Sequence, residues 1–199
     1  MPGAIVGVFG KQRSGKTLFA YSLTKQLIKQ NYKQNKKLLR VYTNIYTDEP
    51  EFQYINSISQ IPLDLEPKIL LIDEIYNGCD AQDYKKLKEM SIFINTIGKQ
   101  NCFFIFTSIQ TGEVYNRIRN QMDLCVLVTR DNVNIYYRLL FLNNNNTLDF
   151  KVSKNECFFS NIHYDTNFIP KEFDWSMKSW SIKLDNYYKK YYPKILNQS

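Results

Sequence analysis

Near its start the chain carries an unbroken apolar run, Ala4-Ile5-Val6-Gly7-Val8-Phe9, and a run without polar alternation reads as a strand buried on both faces. Small and polar residues fill positions 10–17. Apolar residues then return at helical spacing, at Ala20, Leu23 and Leu27, which predicts a helix over residues 18–32. A second strand is expected over residues 37–46. Pro50, Pro62 and Pro67 punctuate a less regular stretch that leads into the short aliphatic strand 68–72, which closes on Asp73-Glu74. Residues 80–97 place Tyr84, Leu87, Ile94 and Ile97 on one helical face, with Asp80 as cap and Gly98 as stop. A fourth strand over 102–107, a short helix over 113–121 and a fifth strand over 124–129 complete the alternation. Helix and strand alternating in this way are the signature of an α/β fold with a parallel sheet. Turn residues at Arg130-Asp131-Asn132 and at asparagines 143–146 then predict β-hairpins, and the final aromatic stretch follows no period.

The polar segment behind the first strand spells G-x-x-x-x-G-K-[ST], from Gly10 through Lys11, Gln12, Arg13, Ser14, Gly15 and Lys16 to Thr17. A strand that ends in such a loop, with a helix starting inside it, aims backbone N–H groups and a helix N-terminus at one point, which suits a polyphosphate. Residues Gly10 to Thr17, with Leu18 behind them, are the candidate nucleotide contacts. Lys16 is positioned for the β- and γ-phosphates of ATP, and the Thr17 hydroxyl for Mg²⁺. An ordinary glycine turn between strand and helix is the plain alternative, disfavoured by the strand before it and the amphipathic helix after it.

Asp73-Glu74 at the end of an aliphatic strand matches the Walker B pattern. Asp73 is then the second Mg²⁺ residue, and Glu74 is placed to take a proton from the attacking water. The polar cluster Thr107-Ser108-Ile109-Gln110 ends the fourth strand. In NTPases with an additional strand between the Walker A and Walker B strands, a polar residue at that tip contacts the γ-phosphate or the water. Ser108 and Gln110 are both candidates for this sensor.

Composition narrows the chemistry. With 199 residues, 44% of them hydrophobic, the chain is long enough for one real core and short for two domains. No apolar stretch reaches the length of a membrane span, and the only N-terminal apolar run ends in the phosphate loop, so neither a membrane span nor a targeting segment is expected. Cys79, Cys102, Cys125 and Cys157 form no C-x-x-C pair, which favours reduced thiols in a cytoplasmic protein. His163 is the only histidine, which argues against histidine-based metal sites and most triad chemistry.

The series of phosphate loop, Thr43-Asn44-Ile45, Ile72-Asp73-Glu74, Phe106-Thr107-Ser108-Ile109-Gln110, and Arg117-Ile118-Arg119-Asn120 with Asp123 resembles the viral and phage branch of the HerA–FtsK ATPases. Within that branch it is similar to the Zot-like proteins of filamentous phages and to the genome-packaging ATPases of archaeal icosahedral viruses. The resemblance covers roughly residues 4–130. It implies a RecA-like P-loop NTPase core, assembly into a homo-oligomeric ring of five or six subunits, and ATP-driven movement of DNA or a related export task; the expected partners are DNA, double-stranded in preference to single-stranded, and for genome packaging a capsid or portal-vertex protein. It also implies a basic residue after the sensor strand that reaches the neighbouring subunit's nucleotide, for which Arg119 and Arg117 are the candidates. Two positions apart on a helix means about 200° of rotation, so both cannot reach one phosphate.

This chain departs from the pattern at three places. The arginine often found before the fourth strand is replaced by Gly98-Lys99-Gln100, the sensor tip carries an extra Ile109, and the membrane helix of the phage Zot proteins is absent. The last difference favours packaging in the host cytoplasm over extrusion through a membrane. Lys11 also fits a ParA-like ATPase, but Gln12 and Arg13 stand where that branch has glycines. A small-molecule kinase needs an arginine-rich lid that is not visible here, and a non-enzymatic nucleotide switch stays open.

The net charge of +7 suits a polyanionic partner. Lys25, Lys29 and Lys33 align on one helical face and Lys36, Lys37 and Arg40 follow, which fits either a solvated face or contact with DNA phosphates. Residues 1–155 are expected to form the ATPase core and 156–199 an aromatic, basic extension. That extension carries Trp175, Trp180, Tyr187, Tyr188, Tyr191 and Tyr192 among lysines, a mixture that either covers the core or a neighbouring subunit or stacks on bases.

Overall fold

The computed structural model describes residues 3–76, 84–158, 163–177 and 180–196. The first half runs β1 (Ile5–Phe9), α1 (Lys16–Asn35), β2 (Arg40–Thr43), β3 (Phe52–Tyr54), β4 (Lys68–Ile72) and α2 (Tyr84–Thr96). The second half runs β5 (Cys102–Ser108), α3 (Asn116–Arg119), β6 (Leu124–Arg130), β7 (Asn134–Phe141), β8 (Asn146–Ser153), α4 (Lys154–Phe158), α5 (Trp180–Tyr191) and α6 (Pro193–Leu196). All eight strands form one sheet in the order β3-β2-β4-β5-β1-β6-β7-β8, parallel from β3 through β6 and antiparallel in the two closing hairpins.

Every residue of β1 and of β4 is buried, as the apolar runs Ile5–Phe9 and Ile69–Ile72 require when helices cover both faces, while the buried Lys68 that opens β4 is paired with Asp64 and donates to the Gln100 carbonyl. On one face α1 packs Ala20, Tyr21 and Ile28 against Val8, Val41, Leu71 and Val126. The other face is covered by Met90, Phe93, Ile94 and Ile97 from α2 and its end, together with Phe173 and Trp175 from the C-terminal stretch. Trp175 is fully buried, its ring 4.8 Å from Phe173 and 6.2 Å from Phe104, so this tryptophan is core and does not stack on an outside partner.

The register sets up the functional end of the sheet. Ile72 pairs with Phe106, Val8 with Thr107 and Phe9 with Ser108. The residues that follow β2, β4 and β1, together with the end of β5, therefore come level at one edge. There Asn44, Asp73, Thr107 and Gly10 stand side by side, with β5 as the additional strand between the phosphate-loop strand and the Asp73 strand.

Several boundaries differ from the pattern. The first helix starts two residues earlier, inside the loop, and runs on to Asn35, where Lys36 ends it in a left-handed conformation. Its most deeply buried stripe is Ala20, Tyr21, Thr24 and Ile28, with Leu23 and Leu27 only partly buried at its edge. The second strand is confined to Arg40–Thr43, and the expected helix over 113–121 is a 3₁₀ turn at Thr111–Glu113 followed by the single turn of α3. The left-handed step after α2 falls on Asn101, at φ 49°, and not on Gly98. The Asp80 cap lies outside the described residues. Cys102 and Cys125 are buried free thiols, and burial pushes Cys102 up to about 12, so it is inert at neutral pH.

Candidate nucleotide site

Gly10 opens the loop where a side chain has no room: a Cβ there would lie 2.4 Å from the Val128 carbonyl oxygen and 2.8 Å from Ser14 Oγ. Gly15 caps α1 at φ 105°, a left-handed conformation that costs glycine nothing, and a Cβ would also press on Ile135 at 3.0 Å. The loop is pinned at its start by Gly10 N–H to the Ser108 carbonyl (3.3 Å) and closed on itself by Ser14 N–H to the Lys11 carbonyl (3.2 Å). Lys16 is 5% exposed and donates to the Lys11 carbonyl at 3.1 Å. Burial lowers the pKa of its ammonium, and the carboxylates of Asp73, Glu74 and Glu113 pull it back upward.

Asp73 and Glu74 are held by the two strands that flank β4 and by the start of α1. The Asn44 side-chain amide pairs with the Asp73 peptide in both directions, accepting from its N–H at 2.7 Å and donating to its carbonyl at 2.9 Å. Asp73 Oδ1 accepts from the Thr17 hydroxyl at 2.9 Å and from the Thr107 hydroxyl at 2.7 Å. Burial raises the pKa of the Asp73 carboxyl, opposed by the Thr107 and Thr17 hydroxyls. Glu74 sits at φ 53°, a left-handed conformation that a branched or long side chain adopts only when held there. The clamp is Thr107: its Oγ1 accepts from Glu74 N–H at 2.9 Å, and its carbonyl accepts from Ile75 N–H at 3.0 Å. Burial, then the Glu74 charge, push the Tyr76 phenol beside this pair up to about 12.

The sensor candidates stand further off. The Ser108 hydroxyl is fully buried and donates to the Gln110 carbonyl (3.2 Å) and to Glu113 Oε2 (3.3 Å), while Gln110 N–H donates to the same carboxylate oxygen. Glu113 thus links the β5 tip to the charge environment of Lys16. Arg117 is exposed and Arg119 half-buried, its guanidinium donating to Asn116, and neither lines the cavity over the phosphate loop of its own chain. Val114 and Ile118 are the buried positions beside them. Lys99, the residue left for the missing arginine's charge, is exposed before β5, at the far end of that strand from Thr107. Lys25 is tied to Glu49 by an ion pair, while Lys29, Lys33, Lys36, Lys37 and Arg40 are exposed.

Asn44, Thr107 and Glu113 are the site residues that motif reasoning ranked too low. The signal for the first two was a polar residue at the C-terminal end of a parallel strand, and for Glu113 an acid at the third position of a turn leaving such a strand.

The cavity over the loop measures about 460 Å³, within the range of small-molecule sites, and its polar wall includes Arg13, Lys16, Thr17, Asp73 and Glu74. Ser14 Oγ, on the Gly10 side of the loop and outside that cavity's lining, is buried without a hydrogen-bond partner. Among the described residues no cluster of three His, Cys, Asp or Glu forms a metal cage. Thr17 and Asp73 are a donor set suited to an Mg²⁺ that keeps its waters and takes phosphate oxygens as its other ligands.

No family model and no curated protein matches the sequence. Solved structures do match. The N-terminal domain of zonular occludens toxin from Neisseria meningitidis aligns with a TM-score of 0.63 at 14% identity, over 83% of this chain and 100% of that one. B204, the DNA-packaging ATPase from Sulfolobus Turreted Icosahedral Virus, aligns at 0.50 with 13% identity, over 74% and 97% of the two chains. The chain has a P-loop NTPase fold. The genome-packaging NTPase B204 of Sulfolobus turreted icosahedral virus 2, in complex with ATP-gammaS, matches equally, with a TM-score of 0.50 at 11% identity over 74% of this chain and 97% of that one. The fold that the Zot-like and packaging-ATPase resemblance implied is therefore the fold observed. Among the described residues no helix is long and apolar enough to cross a membrane.

Proposed function

We propose that this chain is an ATP-hydrolysing motor that translocates DNA, packaging a viral genome into its capsid from the cytoplasm of the host. The observation that carries the reading is the convergence on one cavity of Lys16, the Thr17–Asp73 hydrogen bond and Glu74. In this reading Lys16 and the loop N–H groups hold the β- and γ-phosphates of ATP, and Thr17 and Asp73 hold Mg²⁺, which neutralises phosphate charge when bound. Glu74, fixed in its left-handed conformation by Thr107, takes a proton from the attacking water. Ser108 or Gln110 senses the γ-phosphate, with Glu113 holding that tip. The packaging step is supported by the names of the B204 neighbours, and the ring, with Arg119 or Arg117 completing the neighbour's site, by the motif resemblance. The exposed lysines on and after α1 offer salt-sensitive, sequence-independent phosphate contacts.

The test is ATP turnover with and without double-stranded and single-stranded DNA, at low and moderate salt, in the wild type, Lys16→Ala and Glu74→Gln. Lys16→Ala is expected to lose binding and turnover, and Glu74→Gln to bind ATP without hydrolysing it. DNA is expected to raise wild-type turnover, with the effect fading steeply as salt increases. Turnover indifferent to DNA at every salt concentration but responsive to a nucleoside acceptor would replace the motor with a kinase.

A further inference from the structure

Residues 163–170, His-Tyr-Asp-Thr-Asn-Phe-Ile-Pro, have no periodicity and lie more than ninety positions in sequence from the phosphate loop and the Asp73 strand. The fold nevertheless lays them along the loop that leaves β2. Tyr164 forms an antiparallel bridge with Thr47, the Thr47 hydroxyl donates to the His163 carbonyl, and Asp165 N–H donates to the Tyr46 carbonyl at 3.2 Å. The Tyr164 ring stands 5.2 Å from Tyr21 of α1, and Phe168 stands 5.6 Å from Tyr46 and 5.7 Å from Tyr54. A tight turn sets Phe168 in place, with Asp165 Oδ1 accepting from Asn167 N–H at 2.8 Å.

This strap is the second wall of the cavity described above. One end of that cavity is charged and hydroxylic, with Lys16, Thr17 and Asp73. The strap side is aromatic and apolar, with Tyr164, Phe168 and Pro170 beside Ile45, and the exposed Asp165 also lines the cavity. A polyphosphate has no use for an aromatic wall, whereas a base has a π-face to lay on one and a ribose has hydroxyls to give to a carboxylate.

We propose that residues 163–170 form the nucleoside subsite of this pocket, with Phe168 and Tyr164 stacking on the base and Asp165 accepting from the ribose hydroxyls. The inference rests on the nucleotide reading of the phosphate loop. It makes the C-terminal stretch part of the binding site itself, and it predicts that nucleotide affinity is the sum of two separable ends.

The experiment measures binding of Mg·ATP and of inorganic tripolyphosphate with Mg²⁺ by calorimetry, to the wild type, Phe168→Ala, Phe168→Leu, Asp165→Asn and Lys16→Ala, each checked for folding by thermal unfolding. Phe168→Ala is expected to weaken ATP about tenfold or more, the order of one lost base–aromatic stack, and to leave tripolyphosphate within about twofold. Phe168→Leu keeps apolar volume without the π-face and is expected to show the same selective loss should the alanine variant unfold. Asp165→Asn should weaken ATP more than 2′,3′-dideoxy-ATP, whereas Lys16→Ala should weaken ATP and tripolyphosphate alike. The inference is overturned if wild type binds ATP no better than tripolyphosphate, or if both Phe168 variants bind ATP like wild type or lose both ligands equally. If wild type binds neither ligand, the phosphate-loop reading fails first and the strap inference falls with it.

Discussion

Replacing Thr107 by valine tests whether the clamp on Glu74 matters, because valine keeps the shape and removes only the hydroxyl. That hydroxyl makes two bonds: it donates to Asp73 Oδ1 at 2.7 Å and accepts from Glu74 N–H at 2.9 Å. A hydrogen bond to a charged group contributes about 1.5–3 kcal/mol, and an N–H left without a partner costs about 1–3 kcal/mol. Both contacts are only partly buried, so the combined loss falls near the low end, about 3 kcal/mol. For a chain of this size each kcal/mol moves Tm by about 2–4 °C, so a fall of about 6–12 °C is expected. Turnover should fall further than binding, because Glu74 at φ 53° loses what holds it in a conformation costing about 1–3 kcal/mol. The assay pairs thermal unfolding with single-turnover ATP hydrolysis, alongside Thr107→Ser, which keeps the hydroxyl and should recover most of both losses. Ser108→Ala removes a hydroxyl that, among the described residues, bonds to Gln110 and Glu113, and should leave the Asp73–Glu74 pair in place. A Thr107→Val protein with wild-type Tm and wild-type turnover would falsify the clamp.

Two further outcomes follow from the same geometry. Burial raises the folded pKa of Asp73 above its ordinary 3.8, so the folded state holds that proton to higher pH than the unfolded chain, and ionisation works against folding. The penalty is absent below the unfolded pKa and complete above the folded one. Asp73→Asn should therefore raise Tm at pH 7 while abolishing Mg²⁺-dependent turnover, and the Tm gain should vanish as pH falls toward the ordinary value; a gain independent of pH would refute the assignment. If Arg119 serves the neighbouring subunit, Arg119→Ala binds ATP but hydrolyses it far more slowly, and mixing it with Glu74→Gln restores part of the activity, since some interfaces then join an intact Glu74 to an intact Arg119. Turnover against mixing ratio, after co-assembly is confirmed, decides it: a flat line at background leaves Arg117 or no arginine.

Whatever depends on chain neighbours was legible in the sequence. The loop from Gly10 to Thr17 carries its own geometry, because Gly15 supplies the left-handed step at φ 105° from which the helix starts within the motif. Apolar runs such as Ile5–Phe9 and Ile69–Ile72 declare strands covered on both faces, and the turn residues near 131 and 144 declare hairpins. Tertiary structure decided which polar residues meet. Thr107 and not Ser108 touches Asp73, because strand register sets alternate side chains on opposite faces and the pairing of Ile72 with Phe106 brings position 107 level with 73. Asn44 pairs with the Asp73 peptide only because β2 lies directly beside β4, an adjacency that no local pattern encodes. The strap 163–170 is the extreme case. Its place beside the phosphate loop comes from one bridge, the Asp165 N–H bond to the Tyr46 carbonyl, the Thr47 hydroxyl bond to the His163 carbonyl and aromatic contacts to Tyr21, Tyr46 and Tyr54, all long-range, so its sequence reads as an irregular tail until the sheet is assembled.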